Sequence, residues 1–320
     1  MSEATERFAP LLQQADDFAL SVLEGLSRAR KSLPCRFFYD ARGSALFEQI
    51  TKQPEYYPTR VELAILEANA TQILEGAPLE SVLVEFGSGS SLKTEILLRH
   101  MRRLRAYVPI DISQSALTDA KRRLMSRFFS LNISPLVGDF SRRIELPREL
   151  AEQPKLGFFP GSTIGNFCPA EATRLLHAMR GTLSPGGRLI IGVDLKKDVR
   201  QLVQAYDDAN GVTAAFNLNL LTRINRELDG TFDLGAFRHA ATYEPFEGRI
   251  EMHLISEKNQ DVWVKGRRFR FRAGETIHTE NAYKFTVEEF HLIARAAGWT
   301  PVRVWTDDLG LFSVHELAAP

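Results

Sequence analysis

Residues 82–97 read VLVEFGSGSSLKTEIL: an apolar run, the turn Gly87-Ser88-Gly89, then a helical pattern. A strand that passes through glycines into a helix leaves backbone amides bare, and a nucleotide-like ligand can lie against them. Such a turn can also serve packing alone, so the flanking segments decide. They repeat the same unit. AYVPIDI (106–112), ISPLV (133–137), KLGFF (155–159) and RLIIGV (188–193) are short apolar runs alternating with helical stripes. That βαβ series calls for a parallel sheet covered by helices. Ser113 suits an N-cap ahead of Leu117, Ala120 and Leu124, and Pro169 opens a stripe of Ala172, Leu175, Leu176, Met179 and Leu183.

Working outward, the chain divides into four stretches. Residues 1–60 carry a helical stripe (Ala19, Val22, Leu23, Leu26) and the aromatic residues Tyr39, Phe47, Tyr56 and Tyr57. Residues 61–197 hold the βα series. Residues 198–285 change character, with two helical stripes followed by the alternating segments RIEMHLI and RRFRFR, and read as an inserted α+β lobe. Residues 286–320 return to the βα pattern: Thr286 and Glu289 form a capping box, Gly298 ends the helix, and TPVRVWT and LFSVHEL supply two last strands. The expected fold is α/β, a Rossmann-like sheet of seven strands ending in a hairpin, with the lobe inserted before the sixth strand.

Composition narrows the partners. Lys plus Arg and Asp plus Glu number 40 each in 320 residues, so no long-range attraction draws nucleic acid or an anionic membrane. The basic runs RHMRRLR and KRRLMSR fall on helices with apolar stripes and read as solvated faces. Two cysteines, Cys35 and Cys168, make neither a disulfide framework nor a metal cluster, and the seven histidines show no ligand spacing. MSEATERFAP lacks the basic and apolar regions of a signal peptide, and no apolar run approaches ~20 residues. A cytoplasmic, monomeric protein without metal, acting on a small molecule, is expected.

The strand ends carry the chemistry. Asp111 lies 24 residues past Gly87 (111 − 87), near the ~20-residue offset at which an acid meets ribose hydroxyls. Gly138-Asp139-Phe140 ends the third strand with a carboxylate and a ring, suited to an adenine base, though an ordinary Asp turn reads equally well. Position 92 is Leu92, so the third glycine of a dinucleotide fingerprint is missing. A cationic sulfonium suits an acidic, aromatic pocket of Glu85, Asp111, Asp139 and Phe140 better than a phosphate does. The donor implied is S-adenosylmethionine (SAM). The fourth strand ends in FFPGSTIGNF, where Asn166 offers both a donor and an acceptor; a cap on the helix at Pro169 is its other reading.

These segments in order resemble a known family, the histidine-specific SAM-dependent methyltransferases of ergothioneine biosynthesis. The resemblance rests on RFFYDARGSALFEQI, PEYYPTR, EFGSGSSLKT, YVPIDIS, GDF, FFPGSTIGNF, GVDLKKD, YDDANGVTAAFNLNLL, RIEMHL and GETIHTEN, and spans nearly the whole chain. It implies trimethylation of the α-amine of histidine to hercynine. Gly87, Ser88, Gly89, Lys93, Asp111, Asp139 and Phe140 would bind SAM. Asn166 and Tyr206 would hold the amino acid's carboxylate and amine, with Gly161 and Tyr39 beside the amine. Tyr56, Met252 and Glu280 would surround the imidazole. Ala282 departs from the family, which often has a hydroxyl residue there, and leaves open a relative acting on tryptophan or on a ring nitrogen. An NAD-dependent oxidoreductase and a non-catalytic SAM-binding protein are the readings from other classes.

Overall fold

A computed structural model describes residues 17–87, 89, 92–101, 103–183 and 185–320, the side chain of Ser115 excepted. The chain forms two compact units, Tyr57–Lys197 with Tyr283–Pro320, and the segment ending at Tyr56 with Asp198–Ala282.

The first unit holds seven strands: β1 (Val82–Phe86), β2 (Ala106–Asp111), β3 (Leu136–Val137), β4 (Lys155–Phe159), β5 (Arg188–Asp194), β6 (Thr300–Thr306) and β7 (Phe312–Ala318). They lie in the order β6-β7-β5-β4-β1-β2-β3. β1 to β5 pair in parallel, with Val84 opposite Val108 on one side and Gly157 on the other, whereas β7 runs antiparallel to both β5 and β6. This is the expected sheet with its closing hairpin. Its reversal point lies beside β1, where open α/β sheets place ligands outside the carboxyl ends of the strands.

The central strands are buried on both faces, which is why they read as apolar runs without alternation. Val82, Val84 and Phe86 pack with Leu175, Leu176, Met179, Phe290 and Trp299. Leu83 faces the other way, with Ile65, Leu66, Ile73, Ile96 and Leu97. The caps fall where the sequence places them. Ser113 accepts from Ala116 N ahead of helix Gln114–Met125, and the Thr286–Glu289 capping box opens helix Val287–Ala296. One element is shorter than expected. ISPLV contributes only the two residues of β3 and an isolated bridge at Ile133, because Pro135 has no N–H to give to a ladder.

In the second unit, strands Lys31–Ser32, Thr276–Tyr283, Arg249–Ser256 and Phe237–Glu244 form a sheet in that order, and residues 31–32 run parallel to residues 277–278. Ile250, Met252 and Leu254 are buried on alternate positions, as RIEMHLI requires. RRFRFR instead belongs to a separate hairpin, Gln260–Val264 with Arg267–Phe271, that buries Phe269 and Phe271. Helices Val199–Ala205 and Val212–Glu227 pack in the same unit, with a helix over residues 17–27 whose buried stripe is Phe18, Val22 and Leu26, Ala19 and Leu23 being half-buried. Among the described residues no helix is long and apolar enough to cross a membrane.

Candidate active site

The carboxyl ends of β1, β2 and β3 lie side by side. After β1 the chain turns at Gly87 with φ +81°, a conformation that favours glycine, and a Cβ there would stand 3.7 Å from the ring of Phe140. Ser88 lies outside the described residues. At Gly89 a Cβ would meet nothing within 4 Å, so the turn is open on that side. Phe140 is half-buried, edge-on to Phe159 at 5.6 Å and Phe86 at 6.4 Å. Asp111 and Asp139 each close a small turn, accepting from Ser113 N and Ser141 N at 2.9 Å. The Asp-turn reading of Asp139 is thus realised, and the side chain remains exposed.

Two charged residues at this end of the sheet have partners within the protein. Glu85 does not face outward. It is buried, taking hydrogen bonds from Thr94 Oγ1 at 2.7 Å and from Tyr107 Oη, so it braces β1 against helix Leu92–His100 and β2. Burial pushes its pKa up to about 7, against the pull of those two hydrogen bonds. Lys93 turns to the carboxylate of Glu62, a buried residue of helix Tyr57–Leu74.

Glu62 reaches a second group. Both its oxygens accept from Gly161 N at 2.9 Å, at the start of the loop after β4. Thr163 Oγ1 donates to Pro160 O, and Asp194 N donates to Ser162 Oγ at 2.9 Å. Ser162 itself takes the left-handed conformation, φ +54°. Asp194 is buried beneath this loop, bonded by Tyr57 Oη at 2.8 Å, Lys284 Nζ at 2.7 Å and Lys197 Nζ. Burial would raise its pKa, but the two ammonium groups outweigh that and hold it below the usual carboxylate range. Asn166 ends the 3₁₀ turn Thr163–Asn166, half-buried, and its amide makes no hydrogen bond among the described residues. It does not cap the helix at Pro169, where Cys168 N is met by Glu171 instead.

The second unit contains a small cavity of about 20 Å³, partly open to solvent and well below the volume of a ligand-filled small-molecule site. Tyr39, Phe47, Tyr56, Tyr206, Met252 and Glu280 line it, so six of the residues singled out in the sequence meet there, with Thr213 and Phe216 added. The rings form an edge-to-face cluster: Tyr39 to Phe47 at 5.7 Å, Phe47 to Tyr56 at 6.2 Å and Tyr56 to Tyr206 at 6.3 Å. Tyr39 is partly exposed, and desolvation of its phenol followed by the Glu280 carboxylate raises its pKa above the ordinary phenol value. Burial followed by the same carboxylate pushes Cys35 up to about 12. Ala282 is buried two residues along the strand from Glu280, on the same face by the period of two.

The pocket tyrosines are held from behind. Asp40, next to Tyr39, caps helix Ala41–Ile50 through Gly43 N at 2.7 Å and is gripped by Asn219 at 2.8 Å and Arg226 at 2.7 Å. His239 Nε2 donates to Tyr206 O at 2.8 Å, while its Nδ1 accepts from Asn217 Nδ2 at 2.8 Å. Asn217, Asn219 and Arg226 all project from helix Val212–Glu227.

Residues 18–319 match the model of the family described as "Histidine-specific methyltransferase, SAM-dependent". The chain belongs to that family. The histidine N-alpha-methyltransferase of Mycobacterium tuberculosis is 42% identical over 299 residues, 92% of each chain. Ergothioneine biosynthesis protein 1 of Neurospora crassa is 29% identical over 283 residues, 86% of this chain and 32% of that protein. A SAM-dependent methyltransferase from Clostridium acetobutylicum shares the fold, with a TM-score of 0.51 at 11% identity, covering 85% of this chain and 97% of that one.

The methyltransferase therefore uses SAM, and the strand ends fit it. An open turn at Gly89, the Phe140 ring beside Gly87 and two carboxylates match a cationic nucleoside, with hydroxyls for the acids and a base for the ring. Glu62, His239, Asn217 and Asn219 escaped the sequence reading. Asn217 and Asn219 lie within the quoted segment YDDANGVTAAFNLNLL without a role read from it, and Glu62 is a charge on the helix face that carries Ile65, Leu66 and Ile73.

Proposed function

We propose that the enzyme transfers methyl groups from SAM to the α-amine of L-histidine, three in succession, giving hercynine on the route to ergothioneine. The observation that carries this reading is a pocket whose aromatic wall holds a single lining carboxylate, Glu280. A carboxylate in the wall can accept a hydrogen bond from an imidazole N–H, and a site built around such an acceptor favours a side chain that supplies the donor. The name of the mycobacterial relative agrees with it.

SAM, when bound, supplies an electrophilic methyl group on a cationic sulfur. The chain's own residues position the acceptor. Asn166 presents an amide with both a donor and an acceptor to the amino acid's amine and carboxylate, and orientation accounts for much of the acceleration when the leaving group is already cationic. Tyr206 and Tyr56 bound the amino acid, and Met252 packs beside the ring. Tyr39 is a neutral phenol at neutral pH, as any unperturbed tyrosine is, and burial and then the Glu280 carboxylate favour that form further. It can donate a hydrogen bond to the bound amino acid. The rings of the pocket suit an amine that becomes permanently charged as methyl groups accumulate.

Mass spectrometry of histidine incubated with SAM and the enzyme tests this. Trimethylated histidine is expected. Methylated tryptophan, a ring-methylated histidine, or no product would overturn it. We also place the enzyme in the cytoplasm as a monomer, since its candidate substrate residues need no second copy; size-exclusion chromatography with light scattering checks the second point.

A further inference from the structure

We propose that Asp194 is a positioning residue for methyl transfer: it ties the loop that carries Asn166 to the roots of the three segments through which the chain leaves the first unit. The inference rests on the functional reading above, which sets Asn166 against the amine of the amino acid.

The chain passes between its two units three times, at residues 56–57, 197–198 and 282–283. Each passage has a polar side chain at its root in the first unit. Tyr57 is the first residue of that unit, Lys197 stands just before the second passage, and Lys284 is the second residue after the third. All three reach one carboxylate. Tyr57 Oη donates to the oxygens of Asp194 at 2.8 and 2.9 Å, Lys284 Nζ donates at 2.7 Å, and Lys197 Nζ donates both to Asp194 and, at 2.6 Å, to Tyr57 Oη. Asp194, Lys197 and Lys284 have buried side chains. Taking a carboxylate and two ammonium groups out of water is costly, and apolar residues of similar volume would often be as stable there. The use of the cluster lies in what it fixes.

Asp194 reaches the loop through its backbone. Its N–H donates to Ser162 Oγ at 2.9 Å, and Ser162, at φ +54°, holds a left-handed conformation that is strained for any residue but glycine and persists only where its surroundings impose it. The root of the third passage meets the same loop. A Cβ at Gly165 would stand 2.8 Å from Tyr283 O, so a glycine is what lets the loop close on that segment one residue before Asn166. Residues 195 and 285 pair at a parallel bridge, and Lys196 N donates to Phe285 O at 2.9 Å, so the roots of the second and third passages run side by side. A shift at any root is thereby carried to Ser162 and Gly165, and through them to the amide of Asn166.

The test uses Ser162→Gly, Tyr57→Phe and the double variant of the full enzyme. Asp194 itself stays, because its replacement would strand two buried ammonium groups and report on folding. Measured well below each Tm, at saturating histidine and SAM, kcat is insensitive to a loss of stability alone; SAM affinity is read by calorimetry. Glycine accepts φ +54° freely, so Ser162→Gly removes the bond to Asp194 without adding strain. Its kcat should fall about fivefold and that of Tyr57→Phe about threefold, the range of one hydrogen bond, with SAM affinity within about twofold of wild type. Residues that act through one shared partner are not additive, so the double variant should stay near fivefold, against about fifteenfold for independent effects.

Three results overturn the inference: an unchanged kcat in either single variant, a double variant whose loss is the product of the two, or a SAM affinity that falls as far as kcat does. The last would make the cluster a support of the donor site. Failure of the wild-type enzyme to methylate histidine is a separate outcome, one that removes the functional reading beneath it.

Discussion

Replacing Glu280 by Gln removes one negative charge from the pocket and leaves its shape nearly unchanged. A hydrogen bond to an ionised group is worth about 1.5–3 kcal/mol, and about 1.4 kcal/mol corresponds to a factor of ten. Histidine kcat/KM should therefore fall about 10- to 100-fold, with Glu280→Gln near the lower figure because an acceptor oxygen survives, and Glu280→Ala near the upper. The same charge acts on Cys35, whose thiol burial and then Glu280 raise to about 12. Its loss favours the thiolate, so Cys35 should alkylate faster at about pH 9, only part of the shift being relieved because burial remains the larger cause. Steady-state kinetics reads the first effect and peptide-resolved iodoacetamide labelling the second, with Cys168 as an internal reference. If kcat/KM for histidine stays within twofold of wild type, no carboxylate–imidazole pair exists. If only the labelling profile is unmoved, Glu280 does not feel Cys35 as the structure has it.

Ala282→Ser adds a hydroxyl on the face of Glu280 and should lower the histidine KM by about 2- to 10-fold, the worth of one hydrogen bond, while lowering Tm in the absence of histidine; kinetics and thermal shift with and without histidine decide it. Glu85→Gln concerns pH. With a folded pKa of about 7 against an ordinary 4.5, the native state holds the proton that the unfolded state has lost, so stability falls as pH rises between those values, by about 3 kcal/mol at most. The variant is exempt, and the Tm difference, variant minus wild type, should grow from pH 5 to pH 8; a constant difference would contradict the burial of that carboxylate. His239→Leu strands the carbonyl of Tyr206 and should raise the histidine KM about tenfold with SAM KM unchanged, and His239→Gln should restore part of it.

The sheet was legible because its strands are buried on both faces, and apolar runs such as VLVEF and RLIIGV can be little else. Caps at Ser113 and Thr286 were legible because they depend on residues three apart. The limit appears at Pro135, where an apolar run yielded two paired residues, since hydrophobicity does not report a missing donor. At the site, the aromatic residues announced themselves by density, but what holds them did not. Glu62 meets Gly161 99 residues away, and Asn219 meets Asp40 across 179. Periodicity has no access to such pairs. Lys93 shows the same limit: its ion pair with Glu62 joins residues 31 apart (93 − 62), and no local pattern announces that carboxylate.

The parallel pairing of residues 31–32 with 277–278 has a bearing on biosynthesis. Residues 31–32 cannot complete their sheet until residue 277, 246 residues further on (277 − 31), has left the ribosome, and the closing hairpin of the other sheet emerges later still. Contacts so distant along the chain carry a high loop-closure cost and slow folding, leaving unpaired edges exposed in the meantime. A ribosome stalled before residue 277 therefore holds a lobe in which residues 31–32 have no strand to pair with.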